Sequence, residues 1–231
     1  MERDIFVPGR TELAGNHTDH QRGRILASAV DLGLFASFWP NGSNLCHIES
    51  EGFADIDLRI NQLNIRTAEF GTSQALVRGV FAAFQELGLN VGGFEARVRS
   101  SLPAGSGLSS SAAFAVLIGR ILSELFNEGK VEPIVLARAA QQAENQYFGK
   151  PCGLMDQAAC ALGGVQFIDF FDNAAPNVSA LEWPFTNEFA IYIINTGSSH
   201  ADMTDAYAQI IADMKSVSDI LGADRLGTSR L

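Results

Sequence analysis

The sequence predicts an α+β fold, and three observations carry that reading. Stretches with a two-residue hydrophobic period alternate with stretches at helical spacing, but without the regular strand–helix–strand rhythm of a doubly wound sheet. The chain of 231 residues is 47% hydrophobic and 18% charged, enough apolar material for a sizeable core and unlike a disordered polypeptide. Its 22 Gly and 7 Pro follow no period, which excludes collagen-like and low-complexity architectures. At roughly 100–200 residues per domain, the length fits one large domain or one and a fraction.

The elements follow in order. Pro8 to Arg24, rich in Gly, Asn, Thr and His, reads as a loop, and the apolar stretch Ile25 to Trp39 reads as strand material. In 53–60, Ala54, Ile56, Leu58 and Ile60 alternate with Phe53, Asp55, Asp57 and Arg59, the period of a half-buried strand. Leu76, Val80, Phe84 and Leu87 define a helix from Thr72 to Leu87, closed by Gly88. From Phe94 to Leu102 the pattern returns to two, with Phe94, Ala96 and Val98 inward. That strand feeds a Gly-rich turn and then a long apolar helix ending near Phe126. A helix from about Ile134 to Phe148, a short helix near Met155, strands at Val165–Phe170 and Phe189–Ile194, and an amphipathic helix from Ala201 to Leu221 complete the pattern.

Sixteen basic against 26 acidic residues give a net charge of −10, which argues against a nucleic-acid binder and against an anionic membrane surface. A small phosphate ligand stays compatible, because backbone N–H groups and a metal can hold one without surplus Lys or Arg. No apolar run reaches about 18 residues, so no membrane span is expected. The opening MERDIFVPGR lacks the apolar core of a secretory signal. Three cysteines (Cys46, Cys152 and Cys160) without metal spacing suit a reducing compartment, so a cytoplasmic location is expected.

Three segments carry chemistry. In PAGSGLSSSAA, Gly105 and Gly107 permit positive φ and close approach, and Ser109, Ser110 and Ser111 stand where a helix begins. Unpartnered N–H groups and the positive end of the macrodipole favour a phosphate there. The segment is neither a P-loop nor a dinucleotide fingerprint, and a plain turn with a helix cap explains it as well. In PGRTELAGNHTD, Arg10, Glu12, Asn16, His17, Thr18 and Asp19 offer the mixed donors and acceptors a neutral polyol needs, or else form a polar surface turn. In PCGLMDQ, Asp156 opens an alanine-rich helix, either as a first-turn acid or as a general base. Glu144, twelve residues earlier, has the setting of a solvated face residue. A serine hydrolase built on GLSSSA is disfavoured, because the G-x-S-x-G elbow is missing.

Together and in this order, the three segments resemble those of the GHMP kinases (galactokinase, homoserine kinase, mevalonate kinase and phosphomevalonate kinase), and of galactokinases within them. PGRTELAGNHTDHQRG is similar to the galactokinase signature, LPAGSGLSSSAA to the family's phosphate loop, and QQAENQYFGKPCGLMDQ to the segment holding its catalytic aspartate. The likeness spans Phe6 to about Tyr207. It implies a two-domain fold. An N-terminal α+β domain like the second domain of ribosomal protein S5 would occupy 1–184, and the start of a ferredoxin-like C-terminal domain 185–231. The family's third, glycine-rich motif is not found. The resemblance therefore implies a chain that ends within its second domain, poorly active alone and prone to association.

Carried across residue by residue, the resemblance implies ATP-dependent phosphorylation of a sugar C1 hydroxyl, with ATP and Mg²⁺ as cofactors and a small sugar and nucleotide as partners, the oligomeric state being left open. Asp156 would take the proton and Arg10 would stabilise charge beside it. Asn16, His17, Asp19, Gly153 and Tyr207 would contact the sugar. Gly105, Ser106, Gly107, Leu108, Ser109, Ser110 and Ser111 would hold the nucleotide phosphates, and Ser110 with Glu144 would hold Mg²⁺. Two departures bear on specificity. Asn16 stands where galactokinases carry Glu, so a C6-modified sugar such as galacturonate is an alternative substrate, and a non-catalytic sugar and nucleotide sensor is an alternative role. Ser73 stands where the family often has Trp near the adenine.

Overall fold

The computed structural model describes residues 1–15, 18–103, 105–182, 188, 190–194 and 204–228. It is an α+β structure: a seven-stranded sheet with four helices packed on one face. The strands are β1 (Arg3–Ala14), β2 (Arg24–Pro40), β3 (Leu45–Ser50), β4 (Ile56–Arg59), β5 (Phe94–Ser100), β6 (Val165–Asp169) and β7 (Asn177–Leu181). Their order is β4-β3-β5-β2-β6-β7, with β1 on β2. Among the described residues only β3 and β5 pair parallel. The long β2 serves two partners in succession, β6 along Arg24–Ser28 and β5 along Leu34–Pro40.

The helices are α1 (Ser73–Glu86), α2 (Ser110–Phe126), α3 (Pro133–Gln142), α4 (Met155–Leu162) and α5 (Thr204–Ile220). Thr72 caps α1 by accepting from the Ala75 N–H at 3.3 Å, and Pro133 opens α3, where its missing N–H costs nothing. Helix α2 is central. Ala112, Ala113, Ala115, Val116, Leu117, Ile118, Ile121 and Leu122 are all buried, and the small residues let neighbouring elements close in on its first turns. The inward faces of β2 and β5, with Ala36, Phe38, Phe94, Ala96 and Val98, complete this core. Among the described residues no helix is long and apolar enough to cross a membrane.

Three expectations change. The expected loop from Pro8 is strand as far as Ala14, because β1 and β2 form a hairpin closed by a short 3₁₀ turn, Asp19–Gln21. The expected helix to Phe148 is α-helical only through Gln142. Residues Ala143–Phe148 then wind as a π-helix ended by Gly149 in the left-handed region. The expected strand Phe189–Ile194 is not regular over 190–194, where Ile191, Tyr192 and Ile194 are exposed, and Phe189 lies outside the described residues. Strands β3 and β7 were not anticipated, whereas α5 lies within the expected Ala201–Leu221, of which 201–203 are outside the described residues.

Candidate active site

Arg10 projects from β1 at a register shift between Pro8 and Arg10. Beside it Gly9 permits a close approach. A Cβ there would lie 2.8 Å from the Leu108 carbonyl oxygen and 2.6 Å from Leu102 Cδ2. The glycine-rich segment therefore packs directly on the strand, and the Arg10 N–H donates to Leu108 O at 3.2 Å. The guanidinium then reaches two ways: Nη1 donates to Gly107 O at 2.9 Å, and Nε donates to Asp156 Oδ1 at 2.8 Å with Nη2 2.7 Å from the same oxygen.

Asp156 lies in the first turn of α4, where the helix dipole favours a negative charge. Its second oxygen accepts from Ser109 Oγ at 2.6 Å. Ser109 caps α2 from the left-handed region (φ 58°), an uncommon conformation for a residue with a Cβ, and from there its hydroxyl meets the carboxylate. Burial pushes the Asp156 carboxyl up, but the Arg10 charge, the hydrogen bonds from Ser109 and Arg10, and the charge of Lys150 outweigh it and hold the carboxyl below its usual value. The side chains of Arg10 and Asp156 keep 15% and 21% of their surface, so the ionised pair stays within reach of a ligand.

In the glycine-rich turn, Gly105 and Gly107 adopt φ of 67° and 72°, and Ser106 N–H donates to Pro103 O at 3.2 Å. Ser110 is exposed at the start of α2, where first-turn N–H groups have no intrahelical acceptor. The structure brings Ser111, rather than Ser110, onto Glu144: Ser111 Oγ donates to Glu144 Oε1 at 2.5 Å. Glu144 is not on a solvated face. It is 1% exposed within the π-helix, a local form often found at functional sites, and also accepts from Gln157 Nε2 and, at 3.4 Å, from Cys152 Sγ.

This corner fits Mg²⁺ by the chemistry of its donors. The buried Glu144 carboxylate, the serine hydroxyls and the buried Gln157 Oε1, which has no hydrogen-bond partner among the described residues, are all hard oxygen ligands. Burial foremost, followed by Glu144, pushes the Cys152 thiol well up, so it stays protonated and does not compete as a soft ligand. Among the described residues no three His, Cys, Asp or Glu side chains form a metal cage by themselves. Mg²⁺ would therefore take its remaining ligands from phosphate and water, its usual habit.

Asp19 opens the 3₁₀ turn between β1 and β2. Its carboxylate is 7% exposed and accepts from the backbone N–H groups of His20 at 2.9 Å and Met155 at 3.4 Å. Gly153 is its seat: a Cβ there would fall 1.7 Å from Asp19 Oδ2. Thr18 ties the turn, its Oγ1 donating to Gly15 O at 2.7 Å and Arg24 O at 2.8 Å. Asn16 and His17 lie outside the described residues, as does the side chain of Tyr207 in α5. Ser73 is the first residue of α1. Sequence reasoning missed Gln157 and Cys152 as partners of Glu144. The one available signal was a glutamine directly after Asp156 at the head of the alanine-rich α4.

Residues 75–164 match the GHMP kinases N terminal domain, and residues 4–39 match the galactokinase galactose-binding signature. Over these residues the chain is similar to the GHMP kinases. Its relatives include galactokinases. The galactokinase of Thermococcus kodakarensis is 32% identical over 206 residues, covering 89% of this chain and 56% of that protein, and the galactokinase of Bacillus subtilis is 34% identical over 163 residues, covering 70% and 42%. Among solved structures, Lactococcus lactis galactokinase complexed with galactose shares the fold at a TM-score of 0.78 and 23% identity, over 98% of this chain and 59% of that one. The chain spans about half the length of the curated relatives it matches (56%, 49% and 56%).

Proposed function

We propose that this chain carries the sugar- and phosphate-binding half of an ATP-dependent sugar 1-kinase acting on galactose or a close relative. The observation that carries the reading is one arrangement: Asp156, held ionised by Arg10 and Ser109, between a helix-start phosphate loop and the Asp19–Gly153 seat. The sugar C1 hydroxyl gives its proton to Asp156, its oxygen bonds to the γ-phosphorus, and the bond from that phosphorus to the bridging oxygen breaks, so that ADP leaves. Arg10 keeps the base unprotonated and offsets charge building at the transferring group. The first-turn N–H groups of α2 and the loop glycines hold the phosphates at their positive pole. Ser110, Ser111 and Glu144 would hold Mg²⁺, which, when bound, offsets the phosphate charge. Asp19 and Gly153, with Asn16, His17 and Tyr207, would contact the sugar.

In this reading residues 1–184 form the sugar- and phosphate-binding unit, and 185–231 belong to a second, ferredoxin-like one. The exposed Ile191, Tyr192 and Ile194 support a further packing partner. A coupled ADP-release assay with a sugar panel tests the activity, run on this chain and on a version extended at its C-terminus. Galactose-dependent turnover, larger in the extended version, is expected. Sugar binding with no turnover in either version would overturn the kinase reading in favour of a sensor, and equal turnover in both would refute the need for a second unit. The amide of Asn16 in place of a carboxylate makes galacturonate the informative second sugar, and a clear preference for galactose excludes it.

A further inference from the structure

The turn that carries Asp19 is held from behind by a segment remote in sequence. After α5 the chain passes through Asp224 and Arg225 into a 3₁₀ turn, Leu226–Thr228. The Leu226 N–H donates to Gln21 Oε1 at 3.2 Å, across 205 positions of sequence. Gln21 is 4% exposed, so this acceptor is satisfied inside the protein rather than by bulk water. Gly227 lies so close that a Cβ would fall 2.5 Å from Gln21 O and 2.7 Å from Arg22 O, two backbone atoms that cannot swing aside. Arg22, itself left-handed at φ 58°, pairs with the Asp224 carboxylate at 3.0 Å.

A second support comes from the loop after β6. With its amide nitrogen turned toward the carbonyls, Asn173 donates to Phe170 O at 3.0 Å and to Asp19 O at 3.3 Å. Arg138 of α3 anchors that loop by donating to Asn173 O at 2.8 Å and Ala174 O at 2.7 Å. None of these groups touches the Asp156 corner. They converge on the backbone of Asp19–Arg22, and the Asp19 carboxylate must stay against Gly153 to face a sugar.

We infer that the segment Asp224–Thr228 is a positioning brace for the sugar turn, so that sugar affinity is set in part by residues far from the sugar. This rests on the sugar-site reading above. The brace acts on where Asp19 stands and not on the protonation of Asp156, so its loss weakens sugar binding and leaves nucleotide binding alone.

The test uses Gly227→Val, which drives a side chain into the turn's backbone, together with Gln21→Leu and Gln21→Glu, where Glu restores the acceptor for the Leu226 N–H. Galactose and ATP–Mg²⁺ affinities are read by titration calorimetry, and amide exchange of residues 15–24 by mass spectrometry. Gly227→Val and Gln21→Leu are expected to weaken galactose binding about fivefold or more, with Gln21→Glu near the parent and nucleotide affinity unchanged. Exchange in the turn speeds in the two disruptive variants. Unchanged galactose affinity and unchanged turn exchange would overturn the inference, as would equal losses for sugar and nucleotide. If the parent chain binds no sugar while the variants still speed exchange, the sugar reading fails and the brace stands.

Discussion

The Asp156 corner and the Asp19 turn are joined by the short run from Gly153 to Asp156, yet they are built by opposite means. At the corner, side chains meet side chains: a guanidinium and a hydroxyl each stand 2.6–2.8 Å from one carboxylate. At the turn, most fixing contacts have backbone on one side, at Gly15, Arg24, Met155, Leu226 and Gly227, with the Arg22–Asp224 ion pair added. The first arrangement sets a charge state and the second sets a location. Substitutions at the corner should therefore alter chemistry, and substitutions at the turn should alter affinity.

The largest effect tests the corner. Asp156→Asn keeps the shape and removes the base, so kcat should fall about 10³-fold with galactose affinity nearly kept. A fall of less than tenfold would remove Asp156 from its role. Next comes the seat. Gly153→Ala places a methyl where the Asp19 carboxylate lies, and a side-chain end can move aside cheaply. Stability should change little, while the sugar KM rises about 10- to 100-fold, the worth of a hydrogen bond to a charged group. A lowered kcat at unchanged KM would blur the division between the two regions.

A smaller effect sharpens it. Because Arg10 holds the Asp156 carboxyl below its usual value, the free carboxylate persists as pH falls. In Arg10→Gln the acidic limb of kcat/KM should move upward, measurable against the parent profile. An unmoved limb would mean that Asp156 is not the titrating group. The smallest effect lies at the hem of the turn. Arg24 pairs with Asp169 at 2.8 Å on the surface, and that hydrogen bond lowers the Asp169 carboxyl. The stabilisation is present above the unfolded pKa of Asp169 and is lost as pH falls through the folded one. Arg24→Ala should cost about 0.5 kcal/mol in denaturant melts near pH 7, less at low pH, and leave sugar affinity unchanged.

What the sequence made legible follows from what burial imposes. Strands β2 and β5 and helices α1, α2 and α4 carry clear periodicity because one face of each meets the core. Strand β1 does not read as a strand, and its part from Pro8 on reads as a loop. There Pro8, Gly9, Arg10 and Glu12 serve the neighbouring loop and site, so no apolar alternation remains. Nothing local marks the π-helix, since an extra residue per turn leaves the apolar spacing ambiguous. Glu144 looked solvated because only its own helix was visible. Its burial depends on Ser111 and Gln157, supplied by α2 and α4. Asp156 is a candidate base from its residues and the resemblance sets Arg10 beside it, but the double contact to one carboxylate oxygen and the Ser109 bond to the other needed the fold. The run 190–194 is apolar enough for a strand, yet it has no regular structure here.

The hairpin of β1 and β2 holds Arg10 in one arm and Asp19 in its connecting turn, with register shifts between Pro8 and Arg10 and between Glu12 and Ala14. Each shift changes the phase of the strand, and a change of one position sends every later side chain to the opposite face. The chemistry of this chain is thus tied to a count of residues as well as to their kinds. A one-residue insertion or deletion just before Arg10 is expected to turn the guanidinium away from Asp156, an effect distinct from that of any single substitution.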